Sequence, residues 1–412
     1  MTLPKLAYLT GEYPRASDTF IQREVAALRD LGHEVLTCSI RTTGAEHLVG
    51  PEQRAEHART FGVLDAAKSP LTLIRAHLRW MRTPGRYLRA LKLAWATAPK
   101  GVRGRAYNLI YFLEAGVLAA HLADNGVQHL HNHIAKASCT VAMLASELSG
   151  IPFSFTIHGP DIFFEPHHWR IDAKARRAAF VACISDFCRS QLMCFADPQD
   201  WPRLHIVHCG VEPGRYAPAA HDGKNLLFVG RLAAVKGVRV LLEALAQMDG
   251  RPQVTLIGDG PERAGLEAYA KALGLSDRVT FAGYQSQDAV AAALGETDVF
   301  VLPSFAEGVP VVLMEAMAAG VPVVTTRIAG IPELVEHGES GLLVAPGDAE
   351  ALRDALQDLL DDPERRRDMG ARGRARVLAE FDIRQEAARL SSLFQSYTKG
   401  APPPPKRPEA AT

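Results

Sequence analysis

The chain reads as two consecutive α/β domains, each a parallel sheet wrapped by helices, and three observations predict it. Short apolar runs of strand length alternate with amphipathic runs of helix length through both halves. Residues 5–39 open with strand, helix and strand, a βαβ start. A polar stretch over 213–224, punctuated by Pro213, Gly214, Pro218 and Gly223, breaks the pattern near the middle. These marks divide the chain into a first domain over 1–212, a linker over 213–224, a second domain over 225–382 and a final helix over 383–400. The Pro-rich stretch 401–412 is expected to be a disordered tail.

In the first half a strand over 5–10 is followed by a loop over 14–18, a helix over 19–31 and a strand over 33–39. His129, His131 and His133 alternate along one strand, so their side chains fall on one face. That is a possible metal arrangement, but no nearby Asp or Glu completes a ligand set, and no Asp-x-Asp pair closes a strand. No metal is therefore expected. The strand over 153–157 ends in His158-Gly159-Pro160-Asp161, and the strand over 181–185 ends in Ser185, a residue suited to capping the next helix.

In the second half a strand over 226–230 runs into Arg231, a loop with Lys236 and Gly237, and an amphipathic helix over 238–248. Strands follow over 254–257, 278–281, 299–302, 322–325 and 341–344. The run Glu307-Gly-Val-Pro-Val-Val-Leu-Met-Glu315 comes after the buried strand and is expected to hold a carboxylate at each end of a short helix that Gly320 stops. At about 1.5 Å per residue such a helix spans roughly 12 Å, the reach of a sugar diphosphate with its ribose. A diphosphate at its N-terminus would meet backbone N–H groups near Gly308 and Val309. Carboxylates repel phosphate but accept hydrogen bonds from hydroxyls, which puts Glu307 on a sugar ring and Glu315 on a ribose. Arg231 and Lys236 would stabilise the charge that develops on a departing nucleoside diphosphate. The plainer alternative is two solvated glutamates and an ordinary loop charge pair.

Together these residues resemble the retaining glycosyltransferases of family 4, and the likeness extends over most of the chain. Its markers are Gly230-Arg231 with Lys236-Gly237, Leu256-Ile-Gly-Asp-Gly-Pro261, Phe281-Ala-Gly-Tyr284 and the two glutamates. The resemblance implies the GT-B architecture, two Rossmann-like domains facing each other across a donor/acceptor cleft. It also implies that Arg231 and Lys236 bind the diphosphate, that Glu307 contacts the donor sugar, and that Glu315 holds the ribose. Gly230, Gly258, Gly283 and Tyr284 would frame the nucleotide. His158 would contact the donor sugar from the acceptor side, beside Asp161, with Ser185, Asp18, Thr19 and His133 as further acceptor-side positions. The first loop, Pro14-Arg-Ala-Ser-Asp-Thr-Phe-Ile21, departs from the paired glycines common in the family. It resembles the exopolysaccharide and colanic-acid branch, whose acceptors are glycans or polyprenyl-linked oligosaccharides. The donor implied is a UDP-hexose or GDP-mannose, transferred without a metal or other cofactor.

Composition is compatible with this. A hydrophobic content of 47% supplies the cores that two domains need. The 46 basic and 46 acidic residues cancel, which argues against general nucleic-acid binding. The charge is uneven, however: residues 66–113 contain no Asp or Glu, while basic residues from Lys68 to Arg105 interleave with Leu, Ile, Trp and Tyr. Such a segment either contacts an anionic membrane surface or packs as a solvated basic face on the core. No signal peptide and no apolar stretch approaching ~18 residues is found, so no spanning segment is expected. The six cysteines lack metal spacing and read as buried, reduced thiols. Together these point to a cytoplasmic protein, peripheral at the inner face of the plasma membrane. Competing readings are a sugar-nucleotide epimerase or inverting transferase on the same architecture, and a nucleotide-sugar sensor or scaffold. A dinucleotide oxidoreductase is disfavoured because no Gly-x-Gly-x-x-Gly follows the first strand.

Overall fold

The computed structural model describes residues 3–15, 18–159, 163–217 and 223–400. They form two compact units, one from the N-terminus to His208 with the residues from Glu386 onward, the other Cys209–Gln385. Asp161 and the stretch 401–412 lie outside the described residues.

The N-terminal unit holds seven parallel strands: β1 (Leu6–Glu12), β2 (Val35–Arg41), β3 (Phe61–Gly62), β4 (His129–His133), β5 (Phe153–Ile157), β6 (Val181–Cys183) and β7 (Leu204–Ile206). Their order, β3-β2-β1-β4-β5-β6-β7, reverses direction between β1 and β4. In such a doubly wound sheet both faces are covered by helices, so central strands are normally continuous apolar runs. Strand β5, Phe-Ser-Phe-Thr-Ile, is buried throughout. Strand β4 is buried as fully although three of its five residues are histidines. Local hydroxyls satisfy them: Ser154 Oγ lies 2.8 Å from His129 Nε2 and 2.7 Å from His131 Nδ1, and Thr156 Oγ1 lies 2.9 Å from His131 Nε2. The last helix, Ile383–Lys399, adds Leu390, Leu393 and Phe394 to this core. Its Ser391 meets His33 at 2.7 Å, and its Thr398 meets His129 at 3.1 Å.

The C-terminal unit holds six parallel strands: β8 (Asn225–Val229), β9 (Gln253–Ile257), β10 (Val279–Gly283), β11 (Val299–Leu302), β12 (Val323–Thr326) and β13 (Gly341–Val344). The order β10-β9-β8-β11-β12-β13 places the reversal between β8 and β11. Ligands of open α/β sheets collect beyond the carboxyl ends of the strands that flank such a reversal.

The acid-free segment folds into helices Pro70–Met81, Pro84–Ala96 and Val102–Asp124. Helix Val102–Asp124 corrects one expectation, because it is long and apolar enough to cross a membrane by length and composition. Half of that apolar window is buried inside the unit, and Phe112, Ala115, Val117 and Leu118 belong to its core. Five of the six cysteines are buried free thiols, whereas Cys194 is exposed.

Candidate functional site

At the reversal of the C-terminal sheet, β8 runs out into Gly230 and Arg231, then through a short turn, Ala234–Lys236, to Gly237. Strand β11 runs out into Pro303 and Ser304. The two loops lock together. Phe305 N–H donates to the Val235 carbonyl at 2.7 Å, and a Cβ on Gly237 would overlap the Pro303 carbonyl oxygen. Gly237 also sits at φ +64°, so glycine is needed there on two counts. This locking brings Lys236 Nζ within 2.6 Å of Glu307 Oε1, and Ser304 Oγ donates to the same oxygen at 2.6 Å. Glu307 is only 9% exposed. Arg231 is exposed, and its side chain has no partner among the described residues.

The helix after β11 spans Val311–Ala318 with Pro310 as its N-cap, not the run beginning at Glu307. A residue preceding proline is pushed out of the helical region, so Val309 cannot continue a helix upstream. Gly308 and Val309 consequently lie in the loop before the helix, with the Gly308 carbonyl accepting from Gly330 N–H at 3.1 Å. Glu315 stands inside the helix, 6% exposed, and Glu307 in the loop, so the two carboxylates do not mark the helix ends.

The neighbouring strands end in glycines held edge to edge. Gly230 N–H donates to Ile257 O at 2.9 Å, and Gly258 N–H to Gly283 O at 2.8 Å. Gly258 adopts φ +134°, and a Cβ on it would run into the Gly230 carbonyl. Gly230, Gly258 and Gly283 are thereby gathered at one sheet edge, with Tyr284, 48% exposed, just after.

The N-terminal unit carries a second constellation at its own reversal. Tyr8 on β1 donates its hydroxyl to Glu24 Oε1 at 2.7 Å, and His133 Nε2 lies 3.0 Å from the same oxygen. His133 Nδ1 in turn lies 2.8 Å from His158 Nε2, and the Phe20 ring packs 4.8 Å from the His158 ring. A carboxylate only accepts, so His133 carries its proton on Nε2 and accepts from His158 Nε2–H. Burial, then the neighbouring His133, pushes the His158 pKa well down, and burial does the same to His131. The expectation that no carboxylate approaches the histidines is corrected, since Glu24, His131 and His133 present ligand atoms within 4.8 Å of one another. Each of these imidazole nitrogens nevertheless already has a hydrogen-bond partner.

Ser185 caps a helix, its Oγ accepting from Cys188 N–H at 3.0 Å, and is fully buried. Asp18 precedes the helix Thr19–Asp30 without capping it through its side chain, and Thr19 is its first residue.

Residues 217–376 match the family described as glycosyl transferases group 1. The chain is 29% identical to a putative colanic acid biosynthesis glycosyltransferase, WcaL, of Salmonella typhimurium over 95% of this chain and 100% of that relative. The stretch 217–376 is a group 1 glycosyltransferase domain. The chain is also 28% identical to the amylovoran biosynthesis glycosyltransferase AmsK of Erwinia amylovora, over 95% and 99% of the two chains. Among solved structures, sucrose-phosphate synthase of Thermosynechococcus elongatus superposes with TM-score 0.75 at 22% identity, covering 96% of this chain and all of that one. Anabaena HepE in complex with UDP-glucose does so with TM-score 0.74 at 18% identity, covering 95% and 99%. These likenesses show the GT-B fold.

The matched stretch contains Arg231, Lys236, Glu307 and Glu315, together with the three edge glycines. Sequence reasoning missed Ser304, Tyr8 and the part played by Glu24. The available signal for Glu24 was its place one helical turn after Phe20, on the face directed at the strand ends. The basic segment is also less open than its composition suggests. Arg79 pairs with Asp124, Arg89 with Glu147 at 2.8 Å, and Arg86 donates to Ser149 O at 2.7 Å. Among the described residues Arg75, Arg82, Lys92, Lys100, Arg103 and Arg105 have no carboxylate partner. Leu71, Ile74, Leu78 and Met81 stand exposed at helical spacing on Pro70–Met81, joined by Leu88 and Trp95 on the next helix.

Proposed function

We propose that this enzyme moves a hexose from a nucleotide-sugar, a UDP-sugar or GDP-mannose, to a glycan or polyprenyl-linked oligosaccharide during exopolysaccharide biosynthesis, with retention of configuration and without a metal ion. The observation that carries this reading is the Lys236–Glu307 pair at the sheet reversal, beside Arg231, Glu315 and the glycine edge. The complex of Anabaena HepE with UDP-glucose and the names of the colanic acid and amylovoran relatives support the donor and pathway class.

Donor chemistry is assigned to the C-terminal unit. Arg231 and Lys236 neutralise the diphosphate as the anomeric C–O bond breaks, in the place a divalent cation would otherwise serve. Glu307 accepts from a sugar hydroxyl and Glu315 from the ribose. The acceptor oxygen bonds to the anomeric carbon on the face the diphosphate leaves, and its proton passes to a diphosphate oxygen. His158, oriented by His133, aligns a sugar hydroxyl.

The exposed apolar stripe with its unpaired cations supports attachment to an anionic membrane surface, at about 1 kcal/mol per basic residue near the headgroups. A cytoplasmic enzyme, peripheral at the inner face of the plasma membrane, is the reading this favours. Incubation with UDP- and GDP-hexoses and a lipid-linked acceptor in EDTA, with the product's anomeric configuration read by NMR, tests it. An α-linked product from an α-linked donor is expected, and an inverted product or a strict metal requirement would overturn the mechanism.

A further inference from the structure

A cavity of about 440 Å³ lies in the N-terminal unit, away from the relay of Tyr8, Glu24, His133 and His158 and sharing no residue with it. It is formed by the turn over 97–104, the start of helix Val102–Asp124, the side of helix Ala137–Ser149 and residues 168–174. That volume falls within the range of small-molecule sites.

Its wall carries Lys100, Arg103, His168, Arg170 and Lys174 but no Asp or Glu. Arg170 is already neutralised by Asp172 through bonds of 2.9 and 2.8 Å. The other two arginine and lysine positions on the turn are not: Lys100 and Arg103 are exposed, and neither has a carboxylate partner among the described residues. Lys174 is 0% exposed, an unusual place for an ammonium. Its Nζ donates to the carbonyls of Ala135 and Lys136, both at 2.8 Å, which accounts for two of its three N–H donors. Burial lowers its pKa to about 8. An anion in the cavity would compensate that buried charge.

The surroundings are apolar and wet. Val102, Tyr107 and Ile110, the first of them 86% exposed, stand on the same helix as Arg103, and exposed Trp95 lies near the end of helix Pro84–Ala96, which leads into the turn that carries Lys100. A hydrophilic anion would leave these side chains in water, whereas a hydrocarbon attached to the anion would cover them.

We propose that this cavity seats the diphosphate head of a hydrocarbon-chain diphosphate ester, with the chain lying over Trp95, Val102 and Ile110. Three cations, from Lys100, Arg103 and Lys174, suffice to neutralise such a head, whether it is esterified at one end or, as in a lipid-linked oligosaccharide, at both. The proposal rests on the reading of the acceptor as lipid-linked, and it gives that acceptor's anchor a place.

The test uses the full chain and four probes: farnesyl diphosphate, inorganic pyrophosphate, farnesol, and the nucleoside diphosphates UDP and GDP, each titrated calorimetrically. Farnesyl diphosphate is expected to bind at least about tenfold more tightly than pyrophosphate or farnesol. The double variant Lys100→Glu/Arg103→Glu is expected to weaken farnesyl diphosphate by about tenfold or more and to leave nucleotide binding unchanged. Both positions are exposed, so the variant should fold, which an unchanged melting temperature would verify. Pyrophosphate binding as tightly as farnesyl diphosphate would make this a free-phosphate site and overturn the lipid assignment. Equal affinity of the double variant and wild type would overturn the cavity itself. Nucleotide binding without farnesyl diphosphate binding would sink the cavity assignment alone. Farnesyl diphosphate binding without nucleotide binding would leave the cavity standing and sink the transferase reading.

Discussion

Lys236 Nζ lies 2.6 Å from Glu307 Oε1, so a cation from the β8 side of the sheet reversal is held by a nearly buried carboxylate from the β11 side. Each orients the other, and Ser304 fixes the carboxylate from a third direction. Removing either partner leaves the other unpaired in a poorly solvated place.

Lys236→Ala and Glu307→Gln should each lower turnover by about 10²-fold, the loss that follows removal of a preorganised charge. Because the two act as one unit, the double variant should lose little more than either single one. Transfer rates for the four proteins check this, and additive losses would show that the pair is not coupled.

Glu24 is expected to fix the tautomer of His158 through His133. Glu24→Ala should lower kcat by about tenfold or more while nucleotide affinity is kept. Glu24→Gln, which can still accept from both Tyr8 and His133, should recover most of the activity. Nitrogen NMR of the His158 ring reads the tautomer directly; a single unchanged tautomer in the alanine variant would refute the relay.

Stability should peak in mildly acidic solution. Burial lowers the pKa of His129 to about 3 and that of His205 to about 4, so both stay neutral in the fold. Their contribution is complete above the unfolded value of about 6.5 and is lost as pH falls through that window. Burial raises Glu386 to about 8 and Glu114 to about 7, so these contributions are complete near the unfolded carboxyl value and are lost as pH rises through the folded one. Melting temperature against pH should therefore decline on both sides of a maximum between about pH 4.5 and 6.5. Glu386→Gln should flatten the alkaline side, and an unaltered slope would mean Glu386 is not the group responsible.

Binding to vesicles should depend on salt. Co-sedimentation with anionic vesicles is expected at low ionic strength and should weaken as screening increases. Ile74→Ser/Leu78→Ser on the exposed stripe should weaken it further without affecting the fold. Equal partition onto neutral vesicles would show that the unpaired cations take no part.

Much of this architecture was legible because β11 is an apolar run bounded by turn residues and β5 alternates large apolar with small hydroxyl residues, patterns of strand length that few other structures accommodate. The site loops were legible as residue types, not as geometry. Pro310 shifts the helix start to Val311, an effect the spacing of Glu307 and Glu315 conceals. Glu24 was hidden because polar residues on a helix ordinarily face solvent, whereas Gln22, Arg23 and Glu24 are all buried here. Helix Val102–Asp124 was hidden because Arg103, Arg105, Asn108 and Glu114 interrupt its apolar residues, and the fold buries Asn108 and Glu114. The closeness of Lys236 to Glu307 arises from two strands seventy residues apart becoming neighbours, which no local pattern encodes.

The proposed chemistry requires a nucleotide-sugar to be held at the carboxyl ends of the C-terminal unit's strands. Calorimetric titration of UDP, GDP, ADP and their sugar conjugates, in EDTA, into wild type and Glu315→Ala tests it most directly. One base should bind selectively, and the variant should lose about tenfold or more in affinity as the ribose hydroxyls lose their acceptor. Absence of binding by every nucleotide, or equal affinity in the variant, would contradict the assignment.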